Sequence, residues 1–277
     1  GERNYIFPDA DVIIDPKQPG CEYPFKELCG AGVAWKLICA LGVDEEILIQ
    51  TLQLAAFATI GDIVSLQGEN RILAKKGLEL INKLKTVSEY YDSYSEYEEM
   101  DFVDDYESES YDIVKNAQKS AAILGLNALI NVTGYTDKNI GAFEVGFILG
   151  PCINAAGRLD DAMNAVNLFL TDDYEEALVI ASKINELNNT RKNMTLDAVN
   201  RAIRIISQEV LADNNVIVCY IPDCHEALAG LVAGRITAQY YKPTIILTDA
   251  MGDFEGQAKA SARSIEGFNM HEALTSV

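Results

Sequence analysis

The sequence is short of several residues, and each shortage excludes a class of protein. It holds 2 His in 277 residues, so a metal site built from several histidines of this chain is excluded. Its 6 Cys include no Cys-x-x-Cys pair, and several lie in helix-like or strand-like segments, where a free thiol acts as a small hydrophobe. No apolar run reaches the roughly 18 residues of a membrane span, and no signal-peptide pattern opens the chain. We therefore expect a soluble, cytoplasmic protein with reduced cysteines and no membrane contact.

Positive charge is also scarce. The chain carries 22 Lys and Arg against 42 Asp and Glu, a net charge of -20, which argues against broad electrostatic attraction to nucleic acid. Residues 86–114 alone hold eleven acidic residues, six Tyr and no basic residue, and without them the net charge is -9. We interpret this segment as a solvated acidic insertion. The alternative is an acidic mimic of a polyanion that occupies a basic groove.

The length suffices for two ordinary domains, and a hydrophobic content of 49% can fill a core in each. Apolar spacing in the first part predicts a short buried strand followed by helices. The predicted strand covers residues 10–16, and the predicted helices cover residues 25–42, 44–60, 69–85 and 118–134.

The second part predicts a different organisation. Residues 172–212 contain no Gly or Pro and repeat apolar residues at three- and four-residue steps, which predicts one helix of about 40 residues. A helix of that length often links lobes, so we place the domain boundary along it. The string that follows predicts strand, helix, strand and strand, a small α/β domain over residues 213–277. Residues 1–171 would form the first domain.

Asp62 is the first candidate for chemistry. It follows a glycine at the end of an apolar helix, where its carboxylate could project from a rigid support, and a hard carboxylate suits Mg²⁺ or Mn²⁺. The plainer interpretation is a helix-capping or turn acid. Asp9 and Asp11 imitate a metal-binding pair, but a surface turn is the better interpretation.

Two segments that are rich in residues with small side chains each contain an arginine. The stretch GPCINAAGRLDDA (150–162) predicts a lean loop with Asn154 and Arg158 as its polar side chains. The stretch AKASARSIEG (258–267) places Ser261 and Arg263 at a strand end, and an arginine fork beside a hydroxyl suits a phosphate oxygen. An edge strand with ordinary polar residues would look the same. Both segments flank the long helix, so we expect them to face each other across a cleft between lobes.

The segment PDCHEALAGLVAGR (222–235) gives a third candidate. His225 begins a predicted helix, where its ring could donate to a phosphate or could simply cap the helix. Gly230 and Gly234 are four residues apart, which favours tight helix packing over ligand contact.

Five segments in the same order resemble the RecJ-type exonucleases of the DHH phosphoesterase superfamily. They are DPKQPGCEYPFKELCGAGVAWKL, ATIGDIVSLQGENR, GPCINAAGRLDDA, CHEALAGLVAGR and GQAKASARSIEGFNMHEAL. Each segment alone is a modest signal, but five in order are specific. The similarity covers nearly the whole chain except the acidic residues 86–114.

The resemblance implies an α/β fold with part of a DHH domain, a long connecting helix and a smaller DHH-associated domain. It implies a single-strand-specific 5′→3′ exonuclease of DNA repair and recombination that uses two Mn²⁺ or Mg²⁺ ions. Its partners would be single-stranded DNA and, as further candidates, a single-strand-binding protein or other repair proteins. By resemblance, Asp62 is a metal ligand, Asn154 and Arg158 contact nucleic acid, Ser261 and Arg263 bind phosphate, and His225 belongs to the site.

The resemblance also has gaps. RecJ-type proteins carry Asp-rich and Asp-His-His motifs before the region matched here, and a Gly-Gly-His motif and an oligonucleotide-binding domain after it. None of these is in the sequence, so we expect an internal portion of the enzyme that is inactive by itself. The alternatives are another DHH phosphoesterase that cleaves oligonucleotides or cyclic dinucleotides, and a non-catalytic scaffold that binds nucleic acid.

Overall fold

The computed structural model describes residues 8–85, 121–251 and 256–276. The acidic segment 86–114 lies outside these ranges. Within them the chain divides into two compact units, the first within Gly1–Ile153 and Ala165–Ser182 and the second within Asn154–Asn164 and Lys183–Val277. No helix in the described ranges combines the length and apolarity that crossing a bilayer requires.

Helices account for the regular structure that is described in the first unit. Those in the first described range are α1 (Gly30–Ala40), α2 (Glu45–Gly61) and α3 (Gly68–Leu84), and α4 (Ala121–Val132) opens the second range. A helical turn (Ala142–Glu144) leads through a π-helix (Val145–Leu149) into α5 (Gly150–Leu159), and α6 (Met163–Leu168) comes next. The helices predicted over 44–60 and 69–85 are confirmed to within one residue at each end. The helix predicted over 25–42 begins five residues later, at Gly30, and residues 118–120 of the fourth predicted helix lie outside the described residues.

Helices α2 and α3 pack closely because Gly77 has no side chain. A methyl group placed on Gly77 would lie 2.1 Å from Cβ of Ala56, far inside van der Waals contact. Ala56, Ile60, Leu73 and Ile81 are buried along this contact. The alternation of small and large residues therefore fixes the distance between the two helices.

The predicted strand at residues 10–16 is wrong. Apart from a bend at residue 11 and a turn at residue 16, these residues have no regular secondary structure, and Val12 and Ile14 are 75% and 52% exposed. The polypeptide before α1 is held instead by polar contacts, since the Tyr23 hydroxyl donates to the Glu69 carboxylate at 2.8 Å and Lys36 pairs with it at 2.9 Å. Burial disfavours the Glu69 carboxylate, but hydrogen bonds from Lys36 and Tyr23 outweigh burial and lower the pKa of Glu69.

The long helix is confirmed as α7 (Tyr174–Gln208), with 35 residues rather than about 40. It begins where Asp173 Oδ1 accepts hydrogen bonds from the backbone N–H groups of Glu175 and Glu176, at 2.8 and 3.3 Å. Val210 adopts a left-handed conformation just beyond its end, with φ of 55°. Local capping and backbone geometry thus shorten the helix that apolar periodicity alone predicts.

The second unit contains a three-stranded sheet in the order β1-β2-β3. Strand β1 (Ile217–Tyr220) is followed by α8 (Glu226–Tyr240), β2 (Thr244–Asp249), β3 (Ala258–Arg263) and a short helix α9 (Met270–Thr275). Strands β1 and β2 are parallel, and β3 runs antiparallel to β2 with Ile246 opposite Ser261. The predicted strand-helix-strand-strand order and the α/β fold class are confirmed.

The core of the second unit lies between α8, the sheet and the C-terminal half of α7. Its fully buried side chains include Ala202, Ile206, Ile217, Val232 and Ile246. Strand β1 alternates strictly, with Val218 and Tyr220 half exposed between buried neighbours. This packing holds α8 against β3 on the side of the sheet that carries the candidate phosphate-binding residues.

We predict that Gly77→Ala destabilises the first unit by about 1–3 kcal/mol, because the added methyl overpacks the contact with Ala56. The matched control is Gly30→Ala, since a methyl there meets no atom within 4 Å. Urea unfolding followed by far-UV circular dichroism measures both variants. Equal unfolding midpoints for the two variants would contradict the close packing described above.

Candidate nucleic-acid interface

Strand β3 presents three polar side chains to helix α8. Lys259, Ser261 and Arg263 alternate with alanines, and alternate residues of a strand share one face. Lys259 pairs with Glu226 in the first turn of α8, at 2.9 Å. The Ser261 hydroxyl and the Arg263 guanidinium lie one turn further along the same helix, beside Gly230. The β3–α8 face is the name used below for this surface of Lys259, Ser261, Arg263, Glu226 and Gly230.

Gly230 makes room for the guanidinium of Arg263. A methyl group on Gly230 would lie 3.0 Å from Nη2 of Arg263 and 3.6 Å from Oγ of Ser261. At Gly234, one turn later, the nearest atom would be Cγ of Arg263 at 4.0 Å. The two glycines therefore face the side chain of Arg263 on β3, whereas their spacing had predicted tight helix packing. Gly230, the glycine nearer the start of α8, is the one at which an added side chain would crowd the guanidinium of Arg263.

Arg158 reaches the same helix from a distant part of the sequence. Its Nη1 donates a hydrogen bond to the backbone carbonyl of Ala227, at 3.0 Å. Ala227 and Gly230 are three residues apart and so lie on one face of α8. Arg158 and Arg263 are thus gathered along the first turns of a single helix.

Arg158 and Arg263 lie in one compact unit, although the sequence predicted that they belong to different lobes. Residues 154–164 and 183–277 cluster together in the second unit. Besides the Arg158 bond, Asp160 contributes to this arrangement, because its carboxylate pairs with Lys183 of α7 at 2.7 Å. The hydrogen bond from Lys183 is the main cause that lowers the pKa of Asp160. Convergence of the two arginines does not require a cleft between lobes.

The stretch 150–162 is mostly a helix, not the lean loop that its Gly and Pro predicted. Helix α5 follows directly on the π-helix, in which the N–H of Gly150 donates to the carbonyl of Val145, five residues back. A wider turn at this point accommodates Pro151, which lacks an N–H and clashes with the carbonyl four residues earlier in an ordinary helix. Asn154 and Arg158 are both exposed and, at four residues apart, share one face of α5.

His225 caps α8. Its Nδ1 accepts a hydrogen bond from the backbone N–H of Ala227 at 3.2 Å, which is the capping role that the sequence left open. A neutral imidazole that accepts at Nδ1 carries its proton on Nε2, so the cap leaves one ring N–H to donate. The side chain is half-buried. Capping and donation to a ligand are therefore compatible in this residue.

Sequence reasoning missed Glu226 and Lys259. Glu226 Oε2 accepts from the backbone N–H of Met251 at 3.2 Å, while Oε1 pairs with Lys259. The hydrogen bond from Lys259, and then that from Met251, lower the pKa of Glu226. The alternating sequence AKASAR could have identified Lys259, because it places Lys259 on the same face of β3 as Ser261. The contribution of Glu226 required the packing of α8 on β3.

Asp62 lies in the first unit, at the C-terminal end of α2. Its backbone N–H donates to the carbonyl of Ala58 at 2.8 Å, and its side chain is exposed rather than sealed in the interior. The next residue, Ile63, is 85% exposed and has φ of 56°, a left-handed conformation that is unfavourable for a β-branched side chain. Strain of this kind concentrates at functional sites.

The π-helix packs against the last turn of α2, which carries Asp62. A methyl group on Gly150 would lie 3.9 Å from Cα of Gly61 and 2.8 Å from the carbonyl oxygen of Val145. Gly146 faces Ile60 in the same way, at 4.0 Å. A methyl group at Gly150 or Gly146 would meet α2 only at ordinary contact distance, so the π-helix lies near the end of α2 without requiring glycine there. π-Helical turns are frequent at functional sites.

The described residues do not by themselves fit a two-metal site. Within residues 8–85, 121–251 and 256–276, no group of three or more His, Cys, Asp or Glu side chains is arranged to hold a metal ion. Asp62 supplies one carboxylate, whereas each Mg²⁺ or Mn²⁺ ion takes about six oxygen ligands. Asp62 can serve as one ligand of such a site, and the described residues do not complete it.

Comparison with known proteins adds to this geometry. No protein-family model matches the chain. It is 35% identical to the curated "Single-stranded-DNA-specific exonuclease RecJ" of Bacillus subtilis over 97% of this chain, and 32% identical to that of Escherichia coli over 96%. The sequence is similar to that of RecJ over nearly its whole length. This confirms the predicted resemblance to RecJ. The chain spans 29% and 42% of the length of these two relatives.

Solved structures of RecJ share the fold. A crystal structure of RecJ from Thermus thermophilus in complex with Mg²⁺ matches 92% of this chain with a TM-score of 0.63 and 28% identity, and the match spans 33% of that structure. A structure of exonuclease RecJ bound to manganese matches 93% of this chain with a TM-score of 0.65 and 28% identity, spanning 54% of that structure. The chain therefore shares its α/β architecture with solved RecJ structures.

We predict that Gly230→Ala displaces the guanidinium of Arg263 from α8, because a methyl at 3.0 Å from Nη2 is tighter than ordinary contact. Gly234→Ala is the matched control, since its methyl would meet Arg263 only at ordinary contact distance. The chemical shift of the Arg263 Nε–Hε group in ¹⁵N NMR spectra reports the displacement. The packing assigned to Gly230 would be wrong if the two variants gave the same shift.

Proposed function

We propose that this chain is part of a RecJ-type exonuclease that hydrolyses phosphodiester bonds of single-stranded DNA from the 5′ end with two divalent metal ions. Similarity to curated RecJ proteins along nearly the whole chain supports the proposal. The observation that carries it is the gathering of Arg158, Ser261 and Arg263 along the first turns of α8. Its place in the cell would be DNA repair and recombination.

In this proposal, Arg263 and Ser261 bind a phosphate of the strand. A guanidinium offers paired N–H donors that match phosphate oxygens, and a neighbouring hydroxyl adds a third donor. Gly230 leaves room on this side of α8 for the Arg263 guanidinium and the Ser261 hydroxyl to lie together. Arg263 Nη1 also donates to the carbonyl of Ala262 at 2.9 Å, which restrains the arginine before the ligand arrives.

Arg158, Asn154 and His225 extend the binding surface. Arg158 donates one N–H to the carbonyl of Ala227. A guanidinium has five N–H donors, so others remain for a ligand. Asn154 shares its face of α5, and His225 Nε2 remains available beside the same helix turn. The donors come from three segments of the second unit. A DNA strand that contacts all three is therefore bound through the arrangement of the donors as well as through their charge.

The acidic balance of the chain is compatible with a DNA-binding surface. Its net charge is -20, yet screening confines the effect of an exposed charge to about 8–10 Å at physiological salt. Contacts to phosphate within that range set the local binding energy. We therefore expect binding of single-stranded DNA that is modest and depends strongly on salt.

Asp62 is proposed as one metal ligand of the complete enzyme. Two Mn²⁺ or Mg²⁺ ions, when bound, would stabilise the attacking and leaving oxygens of the displacement. Asp62 would contribute an exposed carboxylate at the C-terminal end of α2.

The remaining assignments follow from the same proposal. Residues 1–171 would be part of a DHH domain with an acidic insertion at 86–114, residues 172–212 the connecting helix, and residues 213–277 part of the DHH-associated domain. A cytoplasmic location is supported by the cysteine pattern, since the six cysteines include no Cys-x-x-Cys pair and four of them are buried. A single-strand-binding protein or another repair protein is proposed as a further partner.

We predict that Arg263→Ala weakens binding of a single-stranded oligonucleotide by about tenfold or more, since a hydrogen bond to a charged group contributes about 1.5–3 kcal/mol. The slope of the logarithm of the binding constant against the logarithm of the salt concentration should fall by the amount expected for about one phosphate contact. Fluorescence anisotropy with labelled oligothymidylate at several salt concentrations measures both effects. Arg204→Ala is the control, because Arg204 is exposed on the side of α7 away from buried Ala202. Equal losses in the two variants would contradict the proposed role of Arg263.

We also predict that the 277-residue chain alone does not degrade single-stranded DNA in the presence of Mn²⁺. Among the described residues no three potential metal ligands are grouped together, and the Asp62 carboxylate alone cannot supply the ligands that two ions need. Release of nucleotides from a 5′-phosphorylated strand measures the activity. Robust turnover that is abolished by Asp62→Asn would show that the chain completes a metal site and that our placement of the motifs is wrong.

A further inference from the structure

Lys259 has no role in the proposed function, yet it belongs to the same row of side chains. It precedes Ser261 by two residues and Arg263 by four, so all three share the β3–α8 face. A strand rises about 3.3–3.4 Å per residue, which spaces these side chains at regular intervals of about 6.7 Å along β3. A row of this kind suits a chain of successive phosphates better than it suits a single anion.

The present partner of Lys259 is Glu226, and their ion pair is open to solvent. The Lys259 side chain is 59% exposed and that of Glu226 24% exposed, with 2.9 Å between Nζ and Oε1. Exposed ion pairs contribute little to stability, so a phosphate can replace this one at small cost. Glu226 also accepts from Met251 N–H, which holds its carboxylate in place when Lys259 leaves.

Glu226 places a negative charge next to the residues that would bind phosphate. It is the first residue of α8, and Gly230, which faces Arg263, is four residues later on the same side of the helix. A fixed carboxylate there attracts Lys259 and repels a phosphate. The arrangement sets a competition between an internal carboxylate and an external phosphate for one ammonium group.

Strand β3 leaves this row accessible. Lys259 and Arg263 are exposed and Ser261 is half-buried, so the row can be reached from solvent. Ala258, Ala260 and Ala262 are the only other residues of the strand, so no large side chain separates the polar ones. A nucleic acid strand can therefore follow β3 along its length.

We propose that Lys259 binds the phosphate next to the one held by Arg263 and Ser261, and that Glu226 lowers the affinity by competing for Lys259. This inference rests on the proposed function, since it needs the strand to lie along β3. It makes Lys259 a second phosphate-binding residue on the β3–α8 face. It also makes Glu226 a residue that limits how tightly the strand is held.

The test compares variants with two probes, a 5′-phosphorylated oligothymidylate and thymidine 5′-monophosphate, in the intact 277-residue chain. We expect Lys259→Ala to weaken oligonucleotide binding about three- to tenfold and to reduce the salt slope by about 0.7, the value for one contact to a single strand. Binding of the mononucleotide should not change, because one phosphate reaches only Arg263 and Ser261. Lys259→Arg should restore the slope, and Glu226→Gln should tighten oligonucleotide binding several-fold.

The control is Lys76→Ala, which removes an exposed lysine from a comparable ion pair, with Glu79 of α3 at 3.2 Å. A salt slope unchanged by Lys259→Ala, with Arg263→Ala still impaired, would overturn this inference and leave the proposed function intact. Equal weakening of both probes by Lys259→Ala would also overturn it, because that result indicates a structural effect. Absence of oligonucleotide binding by the unsubstituted chain would overturn the proposed function and this inference together.

Discussion

The close approach of strand β3 to helix α8 at Gly230 is the constraint on which the candidate interface depends. The antiparallel register with β2 sets which face of β3 meets the helix, and the missing side chain at Gly230 sets how near the Arg263 head can come. The buried contacts of α8 with β1 and β2 keep the helix in that position. The hydrophobic core that folds the second unit therefore also fixes the positions of the side chains that would donate to a phosphate.

Small residues have a comparable role in the first unit. Gly77 lets α2 and α3 approach closely. The end of α2 is followed by Asp62, which is exposed, and by the strained and exposed Ile63. The helix that packs closely on α3 is therefore the one that leads into the candidate metal ligand.

The sequence predicted some elements well and others badly, for identifiable reasons. The helices of the first unit and the strand-helix-strand-strand order of the second have strong periodic patterns, and these were confirmed. The strand at residues 10–16 failed because Val12 and Ile14 resemble a buried strand in composition, yet no strand in the described ranges pairs with them. The loop at 150–162 failed because Gly and Pro usually end helices, whereas a π-helical turn here accommodates Pro151. Ala155 and Ala156 are buried and favour a helix.

The sequence alone determined the fold class, the resemblance to RecJ and the candidate residues Asp62, Asn154, Arg158, His225, Ser261 and Arg263. These rest on local order, namely periodicity within an element and residue types in short motifs. The tertiary structure decided that Arg158 and Arg263 meet along one helix, that Gly230 makes the space, and that Glu226 holds Lys259. Each of these contacts joins residues that are about 30 or more apart in the chain. Local patterns do not encode such distances, because packing of α8 between α5 and β3 brings the residues together.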